Sequence, residues 1–111
     1  MAGMFLGAVE EQMPIVIDGA ISTAAALAAS RICEKEEAVA DVTLASHVSK
    51  DGAARKALEA LGLRAIIDAD MSLGEGSGAV LLMPMIDAAL AVYRGMGSFE
   101  DIHVEAYHRF K

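Results

Sequence analysis

The chain has 111 residues and a formal net charge of −7, with 55% hydrophobic and 23% charged residues. That length allows one domain, and this much apolar mass excludes a disordered tail or a solvating linker. The acidic balance argues against a nucleic-acid partner, which needs clustered Lys and Arg, and the single cysteine, Cys33, excludes an internal disulfide framework and a cysteine-based zinc site.

In chain order, Met1–Gln12 reads as a helix with Phe5, Ala8 and Val9 near one face. The run Met13-Pro14-Ile15-Val16-Ile17, stopped by Asp18-Gly19, has the β-branched character of a strand buried in a parallel sheet. Ser22-Thr23 are candidate caps for an Ala-rich helix over Ala24–Ser30. Glu34–Glu37 reads as a solvated helix end or loop. Val42–Ala45 is a second strand, closed by Ser46-His47. Ala53–Leu61 is a helix with Gly62 as its terminating residue, and Arg64–Ile67 is a third strand. A glycine-rich turn, Gly74-Glu75-Gly76-Ser77-Gly78, leads into an apolar helix from Ala79 to about Tyr93, kinked by Pro84. Gly95–Lys111 is a mixed tail in which Phe99 is the residue expected to dock.

Strands alternating with helices predict an α/β, three-layer fold with a short parallel sheet of about three strands, a Rossmann-like partial domain over residues 1–111. Such a sheet leaves two open edges, so the chain is expected to self-associate or to complete a larger sheet. The start lacks the basic residues and cleavage site of a secretion signal, and the continuous apolar runs fall short of a bilayer's ~20 residues. A cytoplasmic protein with no membrane partner is the expectation.

In open α/β sheets ligands gather beyond the carboxyl ends of the strands. Here those ends carry Asp18 to Thr23, Ser46 to Ser49, and Asp70 to Gly78. Glycines at 74, 76 and 78 permit close approach of backbone to a ligand, and the amides of the following helix favour an anion. Glu75 is out of place in an anion cradle; a carboxylate there suits work on a proton or a sugar hydroxyl. Gly74-x-Gly76-x-x-Ala79 matches a dinucleotide fingerprint, but no strand with an acid about 20 residues on follows it, so the match is incidental. Gly78-Ala79-Val80 does not close a phosphate loop of the Gly-Lys-Ser/Thr type. His47 fits either a ligand contact or a structural hydrogen bond. His103 and His108 are poorly spaced for a shared helix face, and no metal or cofactor is assigned.

Three stretches together resemble one family: Pro14 to Ala29 with its Asp-Gly-Ala-Ile-Ser-Thr core, Ser46-His47-x-Ser49, and Leu73-Gly-Glu-Gly-Ser-Gly-Ala79. They are similar to the C-terminal part of the nicotinate-nucleotide:dimethylbenzimidazole phosphoribosyltransferases, and Met96-x-Ser98-Phe99-Glu100 adds to the likeness. The chain departs from the family pattern at Ala20, at Ser72 and after Ser49. The resemblance implies a pentosyltransferase that moves phosphoribosyl from nicotinate mononucleotide to a benzimidazole-type base in making the lower ligand of cobamides. It implies Glu75 as the catalytic base, taking a proton from the attacking heterocycle, where partial burial would tune the carboxyl upward. It implies phosphate and ribose contacts from Gly19, Ala20, Ile21, Ser22, Ser46, His47, Gly74, Gly76, Ser77 and Gly78. The family enzyme is about three times as long, so a missing N-terminal portion or a homo-oligomer is expected to complete it. The alternatives are a non-catalytic phosphate- or nucleotide-binding module and a self-associating half-domain.

Overall fold

The computed structural model describes residues 1–97 together with Asp101, His103 and Glu105. Phe99, with Ser98, Glu100 and His108, lies outside the described residues. The described elements run α1 (Ala2–Glu10), β1 (Ile15–Ile17), α2 (Ala20–Ile32), α3 (Glu36–Asp41), β2 (Thr43–Ala45), α4 (Gly52–Ala60) and α5 (Ser77–Gly95).

β1 and β2 pair in parallel, with Ile15, Val16 and Ile17 opposite Thr43, Leu44 and Ala45. A parallel pair needs a crossover, and α2 and α3 supply it. Ile17, Ala45 and Val48 from the sheet side meet Ala26 and Ala29 of α2, Val39 of α3 and Leu58 of α4, and Phe5 closes the cluster from α1. Alanines at the contact face of α2 let the helix approach the strands closely. That is how an aromatic-poor chain fills its core.

Three expectations are corrected. Among the described residues the sheet has two strands, where about three were expected. The segment expected as the third strand lies beside β2 but forms one parallel bridge, between His47 and Ile67. Ile66 and Ile67 donate in succession to the carbonyls of Ala45 and Ser46, at 3.0 and 2.9 Å. A parallel ladder uses every second residue of each strand, so consecutive donors mark a backbone turning out of register. The charged stretch after Cys33 is the second: it enters a helix, α3, at Glu36, where a loop or helix end was expected.

The third concerns the apolar helix. α5 is 19 residues long, begins two residues earlier than expected and carries Pro84 in its interior. With a mean hydropathy of 1.3 it is, by length and composition alone, long and apolar enough to cross a membrane, although Asp87 interrupts it. Only Gly78 and Leu82 of this helix are buried. Val80, Leu81, Met83, Met85, Val92 and Tyr93 are exposed on it.

Candidate functional site

The end of β1 opens into the first turn of α2. Gly19 holds the N-cap position with an extended backbone and has no side chain to satisfy the helix's first amides. Ser22, expected as a cap ahead of the helix, caps from within it instead. Its Oγ accepts from the amides of Asp18 and Gly19, both at 3.0 Å, and donates to the Gly19 carbonyl at 3.0 Å. Thr23 Oγ1 adds a second bond to that carbonyl at 2.8 Å. The amides of Ala20, Ile21 and Ser22, in the first turn, have no intrahelical acceptor by their position. These three residues line a cavity of about 460 Å³.

The opposite wall of the cavity is the glycine-rich turn. Gly74, Glu75 and Gly76 follow one another at φ +76°, +56° and +81°. The turn is closed by the Ser77 amide donating to the Gly74 carbonyl at 3.0 Å, and α5 starts from Gly76. Left-handed backbone is the natural range of glycine, and it costs a residue with a Cβ roughly 1–2 kcal/mol. Glu75 therefore sits in a strained position that the two glycines around it make possible. Its side chain is exposed at the mouth of the cavity, so the expected partial burial of Glu75 is not met.

The Asp18 carboxylate crosses from β1 to this turn. Its Oδ2 accepts from the Gly76 amide at 3.0 Å and its Oδ1 from the Ala79 amide at 3.1 Å. This corrects the expectation of an open anion cradle at the N-terminus of α5: two of its amides already hold an anion, supplied by the chain itself. A carboxylate at that end of a helix is favoured by the dipole. The first-turn amides of α2 belong to residues that line the cavity and have no such internal anion.

The remaining candidates divide between wall and frame. His47 is buried and lines the cavity next to Gly19, while Gly78 lies against the His47 ring. Ser46 is fully buried, and its hydroxyl donates to the Ile17 carbonyl at 2.6 Å and lies 3.3 Å from that of Asp18. It stands behind the cavity rather than on it. Ser77 Oγ is buried with no hydrogen-bond partner, and neither Ser77 nor Gly78 lines the cavity. Met1, Ser49 and Ser72 line it without having been singled out as site residues. Ser49 belongs to the Ser46-His47-x-Ser49 stretch and Ser72 to the strand end from Asp70 to Gly78; Met1 carries no local mark, and the fold brings the three together.

Two other cavities lie away from this rim. One of about 270 Å³, beside α4, is edged by the Arg55–Asp68 ion pair at 3.0 Å, and the hydrogen bond and charge of Asp68 raise the Arg55 guanidinium further. The other, of about 350 Å³, lies between α1 and α3 and includes half-buried Cys33. Among the described residues no three His, Cys, Asp or Glu side chains group as metal ligands would.

A family model described as a phosphoribosyltransferase, DBI_PRT, matches residues 1–104. The chain is 45% identical, over 96% of its own length and 30% of the relative's, to a nicotinate-nucleotide–dimethylbenzimidazole phosphoribosyltransferase of Acetivibrio thermocellus. A relative of the same name from Escherichia coli O1:K1 is 48% identical over 87% of this chain and 26% of its own. The crystal structure of CobT from Thermus thermophilus superposes with a TM-score of 0.79 at 40% identity, covering 94% of this chain and 30% of that one. The chain thus spans about 30% of the length of these longer proteins.

Proposed function

The chain belongs to the nicotinate-nucleotide:dimethylbenzimidazole phosphoribosyltransferase family, and from that membership we propose that it carries the catalytic-base portion of such an enzyme. The observation that supports this is the placement of Glu75. It stands on a strained turn at the mouth of a cavity whose other wall is the amide-rich start of α2.

In this reading nicotinate mononucleotide sets its phosphate against the amides of Ala20, Ile21 and Ser22. The glycines at 74 and 76 leave room for the ribose, and His47 forms the floor. A benzimidazole-type base presents one ring nitrogen to the anomeric carbon and the N–H of the other to Glu75. As the new C–N bond forms, the bond to nicotinate breaks and its pyridinium nitrogen takes up the electron pair. The proton passes to the Glu75 carboxylate. General-base help of this kind is typically worth ~10²–10⁴-fold in rate. Ser46, Ser77 and Gly78 act behind the wall, shaping it.

The same reading makes the two-stranded sheet part of a larger three-layer, Rossmann-like sheet in the cytoplasm. It also gives the exposed apolar surface of α5 a cover: a second copy of the chain or the remainder of a longer transferase. A second reading, a nucleotide-binding module without turnover, draws on the exposure of Glu75 and on the seat that Asp18 already occupies.

The deciding experiment incubates the chain with nicotinate mononucleotide and dimethylbenzimidazole, alone and with the remaining portion of a family enzyme. Glu75→Gln is assayed alongside. Loss of ~10²-fold or more in kcat, with nucleotide affinity kept, supports the base. Nucleotide affinity with no turnover in any combination supports the binding module. Undiminished turnover in the variant removes Glu75 from the mechanism.

A further inference from the structure

We infer that Asp18 is the positioning residue for Glu75: it holds the glycine-rich turn by its carboxylate and takes no part in binding substrate. The inference deepens the transferase reading and rests on it.

Four bonds fix Asp18 and two carry its hold to the turn. Its amide is held by Ser22 Oγ at 3.0 Å, and its carbonyl faces the Ser46 hydroxyl at 3.3 Å, so the main chain is anchored from α2 and from the end of β2. Its two carboxylate oxygens are used separately, one on Gly76 and one on Ala79, which lie 58 and 61 residues further along the chain. Gly76 follows Glu75 directly, so the carboxylate grips the peptide unit on the carboxyl side of the base. Bonds from amides to an ionised carboxylate are about twice as strong as neutral ones.

The turn needs such a hold. Three successive left-handed residues are an unfavourable arrangement, and the middle one bears a side chain. Within the turn, amide bonds run from Ser77 to the Gly74 carbonyl and from Val80 to the Gly76 carbonyl. Neither ties the turn to the rest of the fold; Asp18 does. Asp18 also lines the cavity, but each of its carboxylate oxygens is already held by a backbone amide of the turn, and that hold fixes where Glu75 projects. A catalytic group displaced by about 1 Å loses much of its effect, by up to ~10²-fold.

The test compares wild type, Asp18→Asn, Glu75→Gln and the double variant in the full chain. Asparagine keeps the size of the side chain, but its NH₂ faces an amide donor where an oxygen accepted. Amide hydrogen exchange at Gly76 and Ala79 is expected to quicken by about tenfold or more, with core amides such as Ile17 unchanged. In turnover of nicotinate mononucleotide with dimethylbenzimidazole, kcat is expected to fall by about tenfold or more, with KM within about twofold. The cycle gives the readout that a structural role would not move: with Glu75→Gln present, Asp18→Asn costs nothing further. Ala79→Pro deletes one donor in the first helical turn, where proline is tolerated, and serves if Asp18→Asn does not fold. It is expected to lower kcat in the same direction.

Unchanged exchange at Gly76 and Ala79, or an equal loss of turnover with and without Glu75, overturns the inference. A rise in KM with kcat kept also overturns it, since that marks a substrate contact. Full activity of Glu75→Gln, or a wild-type chain without turnover, overturns instead the transferase reading beneath it, and the exchange measurement still decides whether Asp18 holds the turn.

Discussion

The ring of His47 occupies the space that a side chain at Gly78 would need: a Cβ built on that glycine overlaps the imidazole at Nδ1, Cε1 and Cγ. Both residues are buried, and the contact ties the end of β2 to the first turn of α5. Gly78 is thus a glycine by close packing. Its φ is not in the left-handed range that Gly74 and Gly76 adopt.

Gly78→Ala is therefore expected to destabilise, although alanine is the better helix former by roughly 1 kcal/mol. Overpacking of a buried contact typically costs ~1–3 kcal/mol. Thermal unfolding checks the sign: propensity alone would raise Tm, while the clash with His47 lowers it. Replacing the ring as well, in the double variant His47→Ala, Gly78→Ala, should recover much of the Gly78→Ala loss. A raised Tm in Gly78→Ala would mean that the ring swings away at little cost.

Ser46→Ala is expected to lower stability by ~0.5–1.5 kcal/mol and to leave nucleotide affinity unchanged. The cost is modest because the Ile17 carbonyl that accepts from Ser46 Oγ also accepts from the Ser46 amide at 3.1 Å and so keeps a donor, while the Asp18 carbonyl and the buried His47 Nδ1 lose only the longer contacts of 3.3 and 3.4 Å. Calorimetry for stability and titration with nicotinate mononucleotide separate the two effects. A loss of affinity larger than the loss of stability would make this hydroxyl a ligand contact.

The exposed surface of α5 leads to a prediction about assembly. Leu81, Met85 and Val92, which share one face at helical spacing, stand in solvent on a helix of which two residues are buried. Contiguous apolar surface of this kind marks an interaction site. The sedimentation coefficient of the chain is expected to rise with concentration, and Leu81→Glu with Val92→Glu to suppress the rise. A compact monomer at tens of micromolar would count against a second copy and leave the rest of a longer transferase as the cover.

What the sequence made legible was local. The alanines of α2, the run Ile15–Ile17 and the stop at Gly62, with φ +70°, each follow from the residues on the spot. The glycine spacing from 74 to 78 reads as backbone able to approach a ligand closely, whereas of the three only Gly78 is at close quarters, and with the His47 ring. Its reasons were not legible, because two of the three glycines serve the turn and the third yields to His47, a residue more than 30 positions away in sequence. Asp18 read as a strand stop because nothing in Ile17-Asp18-Gly19 states that its carboxylate will meet Gly76 and Ala79. The third strand was over-read from Arg64–Ile67, since the apolar run Ala65-Ile66-Ile67 sets propensity but the register that admits a single bridge is decided by the pairing with β2. Helix α3 was missed because its acidic start looks the same as a solvated loop.

Glu75→Gly is expected to separate stability from function at one position. The residue sits at φ +56°, between two glycines that adopt the same region freely. Glycine there removes a left-handed strain of roughly 1–2 kcal/mol and gives back roughly 0.5–1 kcal/mol in unfolded-chain entropy. The side chain is exposed, so no buried contact is lost. The net is a chain as stable as wild type or more so by up to about 1.5 kcal/mol, with catalysis gone because no carboxylate remains. Glu75→Gln, which keeps the Cβ and hence the strain, should leave Tm near wild type while losing turnover to a similar degree. Denaturant titration of both variants beside the phosphoribosyl-transfer assay checks the pair. A destabilised Glu75→Gly would show that the carboxylate supports the fold. Retained turnover in that variant would place the proton acceptor elsewhere on the cavity wall.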